Sequence, residues 1–287
     1  MTTRSPALTT PTVAVQMLPA HAERRLAVVL ADGRPSREWP TAHAPLICCS
    51  GLRSRFDEQW RLRMLAERTA RLVLSVQLPG CERGGPSLSG KQRLALLNGD
   101  FGPVADEALR ALADALTPGQ PAHPEGSAAD ALRDAVLVGS GLGASVAGAT
   151  ARVMLDQGWG RPERLVLIEP VAMAAQPLPA LAVAGYRPIS HLRADLHRAD
   201  LAAYALGISA GRIPRELARI MARPDRIAID LVRGGRSRLV RAARVTRVRD
   251  ALSRNGVPGE LVVIPEATHD LWRDPATVAY LADRLLR

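Results

Sequence analysis

Short apolar runs and helically spaced apolar positions alternate along most of the chain. Thr12–Leu18, Leu26–Ala31, Pro45–Cys49, Leu72–Val76, Ala135–Val138, Arg164–Ile168, Arg226–Val232 and Glu260–Ile264 are rich in Val, Ile and Leu, and most are followed by glycine, proline or small polar residues. Runs of this length predict strands, and apolar residues at consecutive positions predict burial on both faces. Glu58–Arg68, with Trp60, Met64 and Leu65 in one stripe, Pro103–Leu116 and the segment closing at Arg287 carry helical spacing instead. Strands alternating with helices predict an α/β domain with a mostly parallel sheet. The rhythm breaks over residues 171–226, where helices are predicted at Leu192–Leu206 and Ile213–Met221 after a proline-punctuated stretch. Residues 33–44 and 117–129 hold the proline and glycine of loops, and residues 1–11, rich in Thr, Ser and Pro, predict a flexible N-terminus. The predicted organisation is a core of 12–170 and 227–287, with a helical insertion at 171–226.

Asp134 to Ala151, DAVLVGSGLGASVAGATA, organises the rest. The apolar run passes through Gly139-Ser140-Gly141-Leu142-Gly143 into small residues suited to a helix lying close on a sheet. Strand, glycine-rich bend and small-residue helix is the setting of the nucleophile elbow G-x-S-x-G. Gly139 and Gly143 fill the small flanking positions, and the central position, where a serine would stand, is Gly141. A frame centred on Ser140 would be flanked by Val138 and Leu142, which are too bulky. Ser145 satisfies the size rule but lies inside the predicted helix.

Four further landmarks keep the same order along the chain. Ser50-Gly51-Leu52-Arg53 ends the third strand, Leu78-Pro79-Gly80 follows the fourth, Gly234-Gly235-Arg236-Ser237 follows the seventh, and Pro265 to Asp270 leads to Asp274-Pro275 and the closing helix. Together with the elbow they resemble the α/β-hydrolase superfamily from Pro45 onward. The resemblance implies that fold, with 171–226 as a helical cap over the site, lined by candidates such as Tyr186, His191, His197 and Tyr204. His269 falls on the catalytic histidine, a candidate general acid or base. Gly141 is the vacant nucleophile position and Ser237 the substituted acid position. Glu169, at the end of the strand after the elbow, is an alternative acid, although an ordinary strand-end carboxylate is the preferred reading of it. Backbone N–H groups near Gly51, Leu52 and Leu142 would polarise a carbonyl, with Ser140 and Cys81 at the pocket. With Gly141 as it stands, acyl-enzyme chemistry at that position is excluded. The expected function is binding of a small molecule or protein. The alternatives are a non-covalent lyase, isomerase or cyclase acting through His269, or a hydrolase with a displaced nucleophile at Ser140, Ser145, Cys49 or Cys81. With Ser237 in the acid position, restoring a serine at 141 is expected to gain little by itself.

Composition adds less. The formal net charge is +10, carried by arginine, since Lys91 is the only lysine. Arg238, Arg241, Arg244 and Arg247 recur every three residues and predict a basic amphipathic helix, either a solvated face or a docking surface for an acidic protein partner. No aromatic interleaving or nucleic-acid motif accompanies them. Three cysteines, two of them adjacent, make no disulfide framework, and no Cys/His spacing suggests a metal or cofactor. The chain shows neither a signal-peptide pattern nor an apolar run long enough for a membrane span, so a cytoplasmic location is expected.

Overall fold

The computed structural model describes residues 15–20, 24–29, 44–51, 58–81, 86–116, 127–178, 198–224 and 226–286. Its strands are β1 (Val15–Ala20), β2 (Arg24–Val29), β3 (Leu46–Cys49), β4 (Val73–Val76), β5 (Val136–Ser140), β6 (Arg164–Ile168), β7 (Ala228–Gly234) and β8 (Leu261–Ile264). They form one sheet in the order β1-β2-β4-β3-β5-β6-β7-β8. β2 runs antiparallel to both its neighbours, and from β4 to β8 every pairing is parallel. This is the mostly parallel α/β architecture expected from the run pattern.

The helices are α1 (Gln59–Thr69), α2 (Gly90–Leu97), α3 (Gly102–Leu116), α4 (Ser127–Leu132), α5 (Leu142–Gln157), α6 (Arg198–Ser209), α7 (Ile213–Met221), α8 (Ala242–Arg254) and α9 (Pro275–Leu285). Strand alternation divides the apolar core into two layers. Ile47, Leu74, Leu137, Leu165, Leu167 and Leu231 face one side, with residues of α3, α5, α6, α7 and α8. Leu46, Val73, Val136, Val138, Val166 and Val232 face the other, with residues of α1 and α9. Both faces of the central strands are therefore dry, which is why these strands read as unbroken apolar runs.

Several boundaries differ from the sequence reading. β5 extends through Gly139 and Ser140 because both pair with β6, opposite Leu167 and Ile168. α4 begins at Ser127, within the stretch predicted as loop. α2 carried no prediction; a capping box starts it, Ser89 Oγ accepting from the Gln92 N–H while the Gln92 side chain accepts from the Ser89 N–H. The arginine row is not one helix face. α8 starts only at Ala242, with Arg241 as its N-cap, so Arg238 and Arg241 precede it. Arg238, Arg241 and Arg247 are exposed, and Arg244 is half-buried.

The described part of the insertion, 171–178 and 198–224, contains α6 and α7 and no strand. α6 is anchored to the loop after β4. Tyr204 is buried and its hydroxyl donates to the Pro79 carbonyl at 2.9 Å. Asp200, also buried, accepts from the Leu88 N–H at 3.0 Å and from Arg93 Nε at 2.7 Å. Tyr186, His191 and His197 lie outside the described residues, as does Leu52. No described helix is long and apolar enough to cross a membrane.

Candidate functional site

Consecutive strands β5, β6, β7 and β8 each lead at their carboxyl ends into one residue of the site: Gly141, Glu169, Ser237 and His269. The carboxyl edge of a parallel sheet is where α/β folds place their ligands. Here it brings together residues from four separate loops.

The bend after β5 is built by close approach. A Cβ on Gly139 would collide with the backbone of Gly143, and one on Gly143 with the Cys49 carbonyl. A Cβ on Gly51 would stand 2.7 Å from the Ser140 carbonyl oxygen and 3.7 Å from the Leu142 nitrogen. These glycines let β3, the bend and the start of α5 touch backbone to backbone. Gly141 is different. Its φ of 59° and ψ of −114° lie outside the regions an L-residue prefers, yet a Cβ built there meets, within 4 Å among the described residues, only the His269 ring, with Cε1 and Nε2 each at 3.7 Å. The bend is thus held in the conformation of a nucleophile elbow, with room for a side chain that is absent. Gly141 is also the N-cap of α5 and caps it with no side chain. The first N–H groups of a helix have no intrahelical acceptor, so the Leu142 N–H is oriented as a donor at this edge.

Glu169 is the residue whose preferred sequence reading is corrected. It is fully buried, and its φ of 49° is one of three positive values among described non-glycine residues. Its N–H is tied to the Val232 carbonyl at 2.8 Å. Three donors converge on its carboxylate: the Gly234 N–H on Oε1 at 2.5 Å, Ser237 Oγ on Oε2 at 2.6 Å, and His269 Nδ1 beside Oε2 at 3.0 Å. The buried, hydrogen-bonded, strained carboxylate is not an ordinary strand end. A carboxylate can only accept, so Nδ1 carries the proton and Nε2, facing Gly141, is the basic nitrogen. Ser237, at the position where the resemblance implies the acid, donates to this carboxylate.

The loop carrying His269 is fixed by β7. Gly235 donates to Ile264 at 2.7 Å and Arg236 to Ala267 at 3.0 Å; a Cβ on Gly234 would strike the Ala267 and Thr268 carbonyls. On the far side Asp274 caps α9, accepting from the Thr277 N–H at 2.9 Å with Pro275 in the first turn. His269 keeps 21% of its side chain accessible, enough to meet a ligand.

The other nucleophile candidates fare less well. Cys49 is buried, and burial, reinforced by the neighbouring Cys48, pushes its thiol up to about 12, so it is not a thiolate at neutral pH. Ser145 is buried inside α5, and its hydroxyl has no hydrogen-bond partner among the described residues. Ser140 is the last residue of β5 and, by alternation, lies on the face of Val136 and Val138. Cys81 is half-buried and packs against the core layer below α5 and α6. Among the described residues no His/Cys/Asp/Glu group could hold a metal.

No family model matches the sequence, and no curated protein matches it either. Solved structures do. An N-formylmaleamic acid deformylase from Pseudomonas putida S16 is 18% identical, aligned over 94% of this chain and 99% of its own, with a TM-score of 0.53. An esterase from Pyrococcus furiosus is 13% identical over 99% and 92%, with a TM-score of 0.56. A thioesterase domain from the curacin biosynthetic pathway is 14% identical over 96% and 100%, with a TM-score of 0.55. At such identities the likeness shows the fold, and the fold of this chain is the α/β-hydrolase fold.

Proposed function

We propose, on the premise of that fold, that Glu169 and His269 form a general-base pair acting directly on a water or substrate proton, with no covalent intermediate. The observation that carries this reading is the pair itself: His269 Nδ1 lies 3.0 Å from a fully buried carboxylate, and Nε2 faces the vacant side-chain position at Gly141. In the reaction, Nε2 takes a proton from a water occupying that position, and the resulting hydroxide attacks a carbonyl carbon. The Leu142 N–H, with the backbone at Gly51, stabilises the carbonyl oxygen as it becomes negative. The imidazolium, held beside Glu169, then returns the proton to the leaving group. General-base catalysis of this kind contributes about 10²- to 10⁴-fold. The similar solved structures named as a deformylase, an esterase and a thioesterase make acyl compounds the first substrates to try. Residues 171–226 are proposed as the cap over this edge.

The test is steady-state turnover of a panel of esters, thioesters and lactones by the purified protein. Turnover without an initial burst, abolished by His269→Ala and strongly reduced by Glu169→Gln, supports the pair. No turnover on the panel, together with ligand binding unchanged in His269→Ala, would favour the non-catalytic binding protein instead.

A further inference from the structure

We infer that Ser237 is the positioning residue of the Glu169–His269 pair, and that the two acid positions of this fold, 169 and 237, exclude one another in this chain. The inference rests on the general-base reading above and deepens it. Glu169 Oε2 is shared by two donors, the Ser237 hydroxyl at 2.6 Å and His269 Nδ1 at 3.0 Å. The Ser237 hydroxyl is itself oriented, because Oγ accepts from the Val240 N–H at 3.3 Å and has a single proton to give. That proton goes to the carboxylate. The turn carrying it is closed by the Ser237 N–H donating to the Gly234 carbonyl at 3.1 Å, while the Gly234 N–H holds the other oxygen, Oε1. One short segment, Gly234 to Val240, therefore fixes both oxygens of a carboxylate that arrives from β6. The charged groups around it point elsewhere: Arg233 donates to the Gly235 carbonyl, and Arg236 pairs with Glu266.

Exclusivity follows from the same distance. An aspartate in place of Ser237 would bring a second carboxylate against Oε2, at a contact now filled by a donor and an acceptor. Two carboxylates so close cannot both stay ionised, and one must keep a proton. The sequence-based expectation that a serine at 141 needs an aspartate at 237 is thereby reversed. Ser237→Asp should disable the pair, and Gly141→Ser alone should already have its base.

The test uses Gly141→Ser as background, since the introduced serine reports on the pair through its rate of labelling by a fluorophosphonate probe. Ser237→Ala in that background should slow labelling about tenfold or more, the weight of one hydrogen bond to a charged group. Ser237→Thr should restore the rate, and Ser237→Asp should lower it and split its pH profile into two steps. If labelling requires His269 yet is indifferent to Ser237→Ala, or Ser237→Asp speeds it, the inference is overturned while the general-base reading stands. If labelling survives His269→Ala, the underlying reading fails. A second readout uses the wild-type backbone, in case the background variant does not fold. The proton NMR signal of His269 Nδ1–H should move on Ser237→Ala and return to its position in Ser237→Thr; an unmoved signal overturns the inference.

Discussion

At the scale of single residues, two backbone conformations define the site. Gly141 and Glu169 both adopt positive φ, at 59° and 49°, on adjacent loops. The first suits glycine, while the second is strain carried by a glutamate and held by three hydrogen bonds. Gly141→Ser should accordingly destabilise the protein by about 1–3 kcal/mol, since a side chain must enter that conformation. It should also convert the protein from inert to stoichiometrically labelled by fluorophosphonates. Urea unfolding and intact-mass spectrometry check the two halves separately. Gly141 and His269 were legible in the sequence because each sits in a local pattern of glycine, proline or strand end. Glu169 was named but ranked as an ordinary residue. What distinguishes it comes from Gly234, Ser237 and His269, and the nearest partner of its carboxylate lies 65 positions along the chain. No local pattern records that convergence.

At the scale of elements, boundaries set by pairing or capping were the least legible. β5 is lengthened by its neighbour, and α8 was drawn too early because arginine spacing by itself resembles a helix face. The arginine that matters structurally is outside that row. Arg249 is buried and donates to the Ile229 and Val257 carbonyls, both at 2.7 Å, clamping α8 to β7 and to the turn before β8. Arg249→Ala leaves two buried carbonyls without donors and should cost about 3 kcal/mol. Because β7 and β8 hold the site's last two loops, the same variant should loosen the Ser237 and His269 loops before the sheet as a whole. Amide hydrogen exchange should show protection falling first in residues 234–240 and 265–270.

Across the whole molecule, the order of landmarks along the chain was enough to anticipate a mostly parallel sheet, because the apolar runs of β3 to β7 are buried on both faces. The insertion was anticipated as helical, but its packing onto the Leu78-Pro79-Gly80 loop was not, since Tyr204 and Asp200 find backbone partners more than 100 positions away. Charge is a property at this scale as well. Arg241 and Arg247 are exposed and make no ion pair among the described residues. Replacing both with Gln should leave unfolding free energy within about 0.5 kcal/mol. If they form a docking face, the same change should weaken capture of an acidic protein partner at low salt, where screening is least. The arrangement of the site also sets an order in time. Synthesis runs from the N-terminus, and the Glu169–His269 contact joins residues 100 positions apart. The bend at Gly141 and the carboxylate of Glu169 therefore leave the ribosome well before the imidazole. Until β8 arrives, β7 is an open sheet edge carrying Leu231 and Val232, the kind of edge on which nascent chains associate wrongly. Assembly of the site therefore waits on the docking of β8, and a chain that has acquired its chemistry has also covered the edge of β7.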